Sequence, residues 1–431
     1  MTTPELLYNL YTEGVQSVDP EHLVRMHLQR DDKGITIAGK RLDKRYKKLL
    51  LCAAGKAALP MAKTAAGILG EWMDGGVVIT PKKGKIPGLD VMESDHPIPT
   101  KRSVKATDAM IKAITAMPKD HYLLFLLSGG ASALMEKPAS GLSLQDMNAT
   151  GALLLQHALP IESVNCIRKH LSSVKGGRLG AMVPTEGSVL VLSDVIGDNL
   201  GTIASGPLYA DRTTFEDALT IIKEAGLERR LPDAVFAHLK AGAAGEKDET
   251  PKTPRESLPH HIIGSNRIAL EAIRIAAQKH IPDVRIITDR LSGEASEQAR
   301  SIVQTAKIIA AEPHDEVLLI YGGEPTVTVN GNGKGGRNQE LALAAAISLE
   351  NTPGITMLSA GTDGIDGNSD AAGAIVDHTT VARAKAAGLH PDSYLENNDS
   401  YHFHQQTQSL IRIGYTGTNV MDIILVHIKR S

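Results

Sequence analysis

Short apolar runs alternate with amphipathic segments along most of the chain after about residue 48, and the sequence before that point is charged and helix-like. Apolar runs of strand length predict buried strands, and apolar residues at helical spacing predict amphipathic helices. In the first half the predicted strands are Leu49–Ala54, Gly76–Thr80, Tyr122–Leu127 and Ser188–Ser193, and the predicted helices are Lys56–Leu69, Ser143–Leu159 and Ser163–Met182. Buried strands separated by helices indicate βαβ units, so we predict an α/β fold with a mostly parallel sheet covered on both faces.

A polar stretch at 241–259 (AGAAGEKDETPKTPRESLP) interrupts this alternation. Its glycine, proline and charged residues are typical of a linker between domains. We therefore predict two α/β domains, at 1–240 and 260–431.

The strand and helix pattern resumes after the linker. The predicted elements are strands His261–Gly264, Val284–Thr288, Val317–Tyr321 and Ile355–Ala360, and helices Asn266–His280 and Asn338–Leu349, with a further helix ending near Ala311. Thr326–Val329 alternates threonine and valine, which predicts a half-exposed antiparallel strand. The last apolar run, at about 420–428, predicts another strand, and the sequence leaves open whether it packs back on the N-terminal domain.

Composition removes several classes of function. The chain has 46 basic and 49 acidic residues and 3% aromatic residues, which argues against a nucleic-acid partner. Cys52 and Cys166 lie in apolar settings, where we expect buried, reduced thiols. No apolar stretch approaches the ~20 residues of a membrane span, and the first residues lack the apolar core of a signal peptide. We expect a cytoplasmic protein without membrane contact.

Glycine and serine residues follow two of the predicted strands in the first half. Gly55 and Lys56 come directly after Leu49–Ala54, and a lysine in the first turn of a helix is unfavourable unless an anion lies nearby. The turn after Tyr122–Leu127 supplies hydroxyls and backbone N–H groups that can hold phosphate oxygens: Ser128, Gly129, Gly130 and Ser132. Carboxyl ends of parallel strands share the edge where ligands bind. A surface lysine and an ordinary serine-capped turn would give the same pattern.

Two further segments of the first half carry charge near glycines. In KHLSSVKGGRLG (169–180), Lys175 and Arg178 either line a site or belong to a solvated face. In SDVIGD (193–198), Asp194 follows a strand and suits Mg²⁺, which takes one or two carboxylates together with phosphate oxygens and water. The same aspartate could instead cap the turn.

The second half repeats this arrangement. Gly323 and Glu324 follow a strand, and the loop GNGKGGRNQE (331–340) carries Lys334, Arg337 and Asn338 into a helix. Arginine matches phosphate oxygens with a bidentate fork. A mobile basic hairpin would have the same sequence pattern. The aspartates of GTDGIDG, Asp363 foremost, suit metal or hydroxyl binding or a turn rich in Asx hydrogen bonds.

Two familiar motifs carry little weight. The chain lacks the Walker sequence of P-loop enzymes, and its single G-x-G-x-x-G (Gly331, Gly333, Gly336) does not follow a fully buried strand, so a dinucleotide fold fits poorly. His402 and His404 lack partner spacing for zinc, and we expect packing or surface roles.

Seven segments, taken in order, closely resemble the glycerate 2-kinase family, whose C-terminal part is called the MOFRL domain. They are AAGKAA, LLSGGASALM, KHLSSVKGGRLG, SDVIGD, GGEPTVTV, GGRNQELAL and SAGTDGIDG. DHPIPT (95–100), NDSYHF (398–403) and TGTNVMD (416–422) extend the resemblance, which spans about residues 50–426. His402 stands where the family usually has an aromatic residue, a departure that affects packing more than chemistry.

The resemblance implies a larger Rossmann-like N-terminal domain and a smaller C-terminal α/β domain, with the active site in the cleft between them. It also implies transfer of the γ-phosphoryl group of ATP to D-glycerate, usually giving 2-phosphoglycerate, with Lys56 and Arg337 as key residues. Some relatives have been labelled hydroxypyruvate reductases, which makes an NAD(P)H-dependent reductase the alternative. A non-catalytic sugar-acid binding protein is a third possibility.

Phosphoryl transfer requires in-line positioning and cations around the transferring group. We expect Mg²⁺ on Asp194 or Asp363, with Lys56 and Arg337 clamping the substrate carboxylate and the γ-phosphoryl group. Asp194 and Asp363 are also the candidates for the base that accepts the proton of the glycerate hydroxyl, and the sequence does not decide between them. The residues expected to bind substrate or phosphate are Ser128, Gly129, Gly130, Ser132, Lys175, Arg178, Gly323, Glu324, Lys334 and Asn338. The partners are then small molecules, ATP and D-glycerate, and a homo-oligomer is left open.

Overall fold

The structure, a computed structural model, describes residues 1–312 and 315–429. The chain divides into two units. The N-terminal-sheet unit consists of Leu23–Ser193 and Asp198–Ile263, and the C-terminal-sheet unit consists of Met1–His22, Asp194–Gly197 and Gly264–Ser431. The predicted linker, 241–259, ends shortly before Gly264, where the chain returns to the C-terminal-sheet unit. Residues 1–22, which were expected in the N-terminal domain, group with the C-terminal part of the chain instead.

The helices follow the amphipathic segments. They are α1 Thr3–Ser17, α2 Pro20–His27, α3 Ala58–Leu69, α4 Lys101–Thr115, α5 Ala131–Leu134, α6 Leu144–Gln156, α7 Ile161–Leu171, α8 Arg178–Ala181, α9 Phe215–Glu224, α10 Asp233–Ala243, α11 Asn266–Ala277, α12 Ala295–Ala311, α13 Arg337–Leu349, α14 Thr380–Ala386, α15 Pro391–Glu396 and α16 Ser400–Gln406. Short 3₁₀ turns lie at Gly70–Trp72, Ile196–Asp198 and Ile203–Ser205.

The strands form three sheets. They are β1 Leu28–Asp31, β2 Gly34–Ile37, β3 Lys40–Arg41, β4 Lys48–Ala54, β5 Val77–Thr80, β6 Asp90–Glu93, β7 His121–Ser128, β8 Gly187–Leu192, β9 His260–Gly264, β10 Asp283–Leu291, β11 Val317–Gly323, β12 Ile355–Gly361, β13 Gly373–Asp377, β14 Leu410–Ile411 and β15 Asp422–Ile428.

The N-terminal-sheet unit is built on a six-stranded sheet in the order β6-β5-β4-β7-β8-β9. The pairs β6–β5, β5–β4, β4–β7 and β7–β8 are all parallel, which confirms the predicted parallel sheet. Every residue of the central strand β7 is buried, as expected for a strand covered on both faces. Residues 28–41, by contrast, were expected to be helix-like and form the small antiparallel sheet β1-β2-β3.

The predicted helix Ser163–Met182 is wrong in its middle. Helix α7 ends at Leu171 and α8 begins only at Arg178. Gly176 and Gly177 have φ of 59° and 84°, a left-handed conformation that no α-helix can contain and that glycine adopts without a steric penalty. The two glycines therefore break the helix.

The C-terminal-sheet unit contains a mixed six-stranded sheet in the order β10-β11-β15-β12-β13-β14. Only β10 and β11 pair in parallel, and the other four pairs are antiparallel, so the prediction of a mostly parallel sheet does not extend to this unit. The last strand, β15, lies between β11 and β12 in this sheet rather than on the N-terminal domain. All of its residues are buried.

The predicted strand Thr326–Val329 is also wrong. Only Thr326 makes an isolated bridge, with Glu294. The backbone N–H and the hydroxyl of Thr328 donate to Glu294 Oε2, at 3.1 Å and 2.9 Å. This carboxylate takes the hydrogen bonds that a neighbouring strand would otherwise accept.

Both cysteines are buried and without a disulfide, as predicted. Burial raises the pKa of Cys52 to about 12 and that of Cys166 to about 11, so both thiols stay protonated at neutral pH. Among the described residues, no helix is long and apolar enough to cross a membrane.

Candidate active site

Strands β4 and β7 bring the first predicted cluster together in the N-terminal-sheet unit. Ala54 pairs with Leu127, so the turns that follow them lie side by side. The N–H of Lys56 donates to Gly129 O at 2.9 Å, and the N–H of Ala57 donates to Ser128 Oγ at 3.1 Å. We call Lys56, Ser128, Gly129, Gly130 and Ser132 the Lys56 edge.

Close backbone approach explains the glycine at position 55. A Cβ there would lie 2.2 Å from Ser128 Oγ and 2.4 Å from Ser128 O, and φ is +131°. Any other residue would push the two turns apart. Gly55 thus determines the distance between Lys56 and the glycines of the neighbouring turn.

The Lys56 side chain lies over Gly130, together with a residue that the sequence did not single out. A Cβ on Gly130 would be 3.0 Å from Lys56 Cγ and 3.2 Å from His96 Cδ2. Loss of water around His96 and the charge of Lys56 lower the pKa of the imidazole, so the ring is neutral at neutral pH. Within the described parts of the chain, Lys56 forms no ion pair. The only sequence signal for His96 is its place in DHPIPT.

Lys175 and Arg178 do not join this edge. Lys175 is 2% exposed, and its ammonium group is paired with the Glu136 carboxylate, which also accepts from Ser172 Oγ at 2.6 Å. Burial lowers the pKa of Lys175, and Glu136 opposes that shift. Arg178 lines a separate cavity whose wall includes no residue of the Lys56 edge.

The second cluster lies at one edge of the sheet in the C-terminal-sheet unit. Asp422, the first residue of β15, pairs with both Gly323 and Gly361, the last residues of β11 and β12. Arg337, the first residue of α13, donates to Asp422 through Nε–Oδ2 at 2.6 Å and Nη2–Oδ1 at 3.1 Å. Asp422 is fully buried, whereas the Arg337 side chain is 32% exposed. This bidentate pair fixes the direction of the guanidinium plane.

Glu324 and Asp194 complete this arrangement. Arg337 Nη1 lies 2.9 Å from Glu324 Oε1. Although burial disfavours the charge, Asp422 and Glu324 raise the pKa of Arg337. Loss of water raises the pKa of Glu324, and the charges of Asp422 and Asp194 add to that effect against the opposing charge of Arg337. We call Asp194, Glu324, Arg337, Asp363 and Asp422 the Arg337 edge.

Asp363 lies beside Asp422 at the end of β12. A Cβ on Gly361 would be 3.2 Å from Asp363 Oδ1 and 3.5 Å from Asp422 Oδ1. Tyr11 of α1, which carries no sequence signal, donates its hydroxyl to Gly361 O at 2.6 Å. The N-terminal helix thereby supports the loop that carries Asp363.

The start of α13 is held by Asp366. Its carboxylate accepts the backbone N–H of Asn338 at 3.2 Å and of Gln339 at 2.8 Å. Burial raises the pKa of Asp366 to about 7, while these N–H groups oppose the rise. Asn338 is 1% exposed and accepts from Ser359 Oγ at 2.8 Å. The side chain predicted to bind substrate therefore serves the packing of α13.

The glycine-rich loop before α13 is docked on the segment 397–399 by hydrogen bonds. Asn398 Oδ1 accepts the N–H groups of Asn330 and Gly331, and Asp399 Oδ1 accepts that of Lys334. Lys334 Nζ lies 4.1 Å from the centre of the Tyr401 ring, a cation–π contact.

The two histidines weighed against zinc have packing and surface roles, as predicted. His402 is half-exposed and lies 2.6 Å from Asp399 Oδ1. His404 is fully buried between Ser409 Oγ and Gln339 O, and burial lowers its pKa to about 4.

Comparison with known proteins matches both halves of the chain. Residues 6–240 match a family described as a domain of unknown function, DUF4147, and residues 317–422 match the MOFRL family. The chain is 40% identical to D-glycerate 2-kinase of Thermotoga maritima, over 99% of each chain. It is 37% identical to glycerate 2-kinase of Pyrococcus horikoshii, over 99% of this chain and 97% of the relative. The crystal structure of the Thermotoga maritima glycerate kinase superimposes with a TM-score of 0.87 at 38% identity and covers 99% of each chain.

The fold and these matches define a two-domain α/β protein with a DUF4147 domain followed by a MOFRL domain. The chain belongs to the glycerate 2-kinase family, which confirms the resemblance in its motifs.

Proposed function

We propose that the protein transfers the γ-phosphoryl group of ATP to D-glycerate and releases ADP and 2-phosphoglycerate. The observation that carries the proposal is the position of Lys56 and Arg337 at strand-end edges, in a chain whose full-length relatives are named glycerate 2-kinases. Phosphoryl transfer requires such fixed cations more than it requires covalent chemistry from the protein.

The Lys56 edge supplies an anion site. Lys56 is the cation, the neighbouring turn offers the backbone N–H groups of Gly129 and Gly130, and Ser132 follows in α5. His96 also lies beside Gly130 and is neutral, so it adds no charge that would cancel the lysine. An ammonium group without a carboxylate partner retains its full attraction for a phosphate or a substrate carboxylate.

The Arg337 edge supplies an oriented guanidinium group. Asp422 accepts from Nε and Nη2, Nη1 lies against Glu324, and the side chain remains 32% exposed. Because Asp422 is fully buried, it cannot exchange this pair for water. Arg337 is therefore preorganised to meet phosphate oxygens.

The carboxylates of this edge fit Mg²⁺. Their oxygen donors are the ligands that this ion prefers, and Asp194 and Asp363 would hold it. Among the described residues, no group of three or more His, Cys, Asp or Glu side chains could hold a metal on its own. This agrees with an ion that arrives with ATP, since Mg²⁺ takes one or two carboxylates and completes its shell with phosphate oxygens and water. When bound, Mg²⁺ neutralises charge on the phosphates.

Reaction class and position of attack can be tested together. With ATP, Mg²⁺ and D-glycerate the protein should release ADP, and coupling to enolase without phosphoglycerate mutase should yield phosphoenolpyruvate. Hydroxypyruvate with NADH or NADPH should cause no loss of nicotinamide absorbance. A strict requirement for mutase would show attack at the 3-hydroxyl. Oxidation of the nicotinamide without ADP release would establish the reductase, and glycerate binding without either reaction would establish a non-catalytic binding protein.

Metal dependence tests the role of the carboxylates. EDTA should abolish ADP release, and Mg²⁺ or Mn²⁺ should restore it. Asp194→Asn and Asp363→Asn should raise the Mg²⁺ concentration needed for half-maximal activity, because each removes one anionic ligand. The exposed Asp392→Asn serves as the matched control. An unchanged Mg²⁺ dependence in both variants would place the metal elsewhere.

A further inference from the structure

The N-terminal-sheet unit contains a cavity of about 440 Å³ that the proposed reaction does not use. Small-molecule sites typically measure about 300–1,000 Å³. Arg178, Ser140, Ser173, Phe215, His238 and Lys247 contribute to its wall. We call this space the Arg178 cavity.

Arg178 is half-buried and incompletely bonded. Its Nη2 donates to Asp248 O at 2.9 Å. Its Nε is buried and has no hydrogen-bond partner, and within the described part of the chain the guanidinium forms no ion pair. A buried donor left unpaired is unfavourable, so an acceptor oxygen supplied by a ligand would be favoured.

The other charged residues of the wall are offset by opposite charges. Lys247 is the second cation, and burial and these two cations keep His238 neutral by lowering its pKa. Of the two acidic residues, Glu249 is engaged by Lys252 at 2.7 Å and lies 3.3 Å from His170 Nε2. Asp248, the other, is exposed. Lys247 is exposed as well, and its charge offsets that of Asp248. Within the described residues, Arg178 is then the half-buried charge of the wall that has no ion-pair partner.

Apolar side chains complete the wall. Phe215, Met182, Ala181 and Pro251 all line the cavity. Such a surface suits a short carbon skeleton, while Ser140 and Ser173 offer hydroxyls beside the cations. The lining thus combines an anion-binding end with an apolar end.

We propose that the Arg178 cavity is a second binding site, which takes a small organic anion with a carboxylate or phosphate group on Arg178. The site is separate from the Lys56 edge, since the two share no residue. Its ligand is a short-chain carboxylate or phosphate ester.

Calorimetric titration with malonate and with inorganic phosphate tests this site without relying on turnover. The unaltered protein and a Lys56→Ala/Arg337→Ala variant should both bind at least one probe saturably, because the second variant disables only the proposed active site. In that background, Arg178→Gln should raise Kd at least about tenfold, as expected for loss of a charge-assisted contact. Ala181→Phe, which narrows the cavity and removes no charge, should also raise Kd, and the exposed Lys63→Ala should not.

The two probes distinguish the ligand chemistry. Binding of malonate alone assigns a carboxylate site, and binding of phosphate alone assigns a phosphate site. Absence of saturable binding of both probes would overturn the proposal. Binding that both Arg178→Gln and Ala181→Phe leave unchanged would overturn it as well. Neither of these results would bear on the proposed kinase reaction, which the enolase assay tests.

Discussion

Lys56→Ala and Arg337→Ala should each lower kcat/KM by about 10²–10⁴, a loss of roughly 3–5.5 kcal/mol of transition-state stabilisation. Lys56 lies over a Gly-Gly turn and has no carboxylate partner among the residues that the structure describes, and Arg337 is oriented by a buried aspartate. Both cations are therefore placed to act on charge that develops during phosphoryl transfer. Steady-state kinetics with D-glycerate and ATP measure the effect.

Matched variants show whether the loss is specific. Lys63→Ala removes an exposed lysine from α3, the helix that follows the Lys56 turn, and Arg300→Ala removes an exposed arginine from α12. Both controls should retain near-normal kinetics, and circular dichroism should show all four proteins folded. A Lys56→Ala or Arg337→Ala enzyme with more than half of the normal kcat/KM would remove that residue from the proposed mechanism.

Asp422→Asn should lower kcat/KM by about 10–10², because Arg337 loses the charged partner that fixes its plane while the side-chain shape is kept. Since Arg337 remains one-third exposed, water can compensate part of its charge, and we expect the free energy of unfolding to fall by about 1–3 kcal/mol. Kinetics and denaturant unfolding measure the two effects separately.

A double variant distinguishes positioning from a purely structural role. If Asp422 acts through Arg337, then Arg337→Ala/Asp422→Asn should be no less active than Arg337→Ala alone. Once the guanidinium group is absent, the Asp422 carboxylate has nothing left to orient. The losses should also appear mainly in kcat, because the pair orients a group for the transition state. Losses that multiply in the double variant would show that Asp422 acts independently of Arg337.

The Arg337 edge depends on support from distant parts of its unit. Tyr11 bonds to Gly361 O, and Asn266 Nδ2 donates to the backbone oxygens of Val420 and Asp422, at 2.9 Å each. These contacts fix the start of β15, where Asp422 lies, and the end of β12, where Gly361 pairs with it. Precise positioning of a charged pair generally requires such outer contacts.

The sequence by itself determined the parallel sheet of the N-terminal-sheet unit and the Lys56 edge. Continuous apolar runs identified β4 and β7. Glycine and serine directly after neighbouring parallel strands must meet, because the carboxyl ends of such strands share one edge. Lys56, Ser128 and Gly130 were therefore predictable as a group from local pattern and motif.

Only the tertiary structure determined which residues meet at the Arg337 edge and which partner Lys175 has. Arg337 and Asp422 are 85 positions apart, and they meet because β15 enters the sheet antiparallel between β11 and β12. Lys175 is likewise withdrawn into an ion pair with Glu136. Periodicity predicts which face of a helix or strand is buried. It contains no information on which distant strand becomes the neighbour, or on which residue pairs with a buried charged side chain.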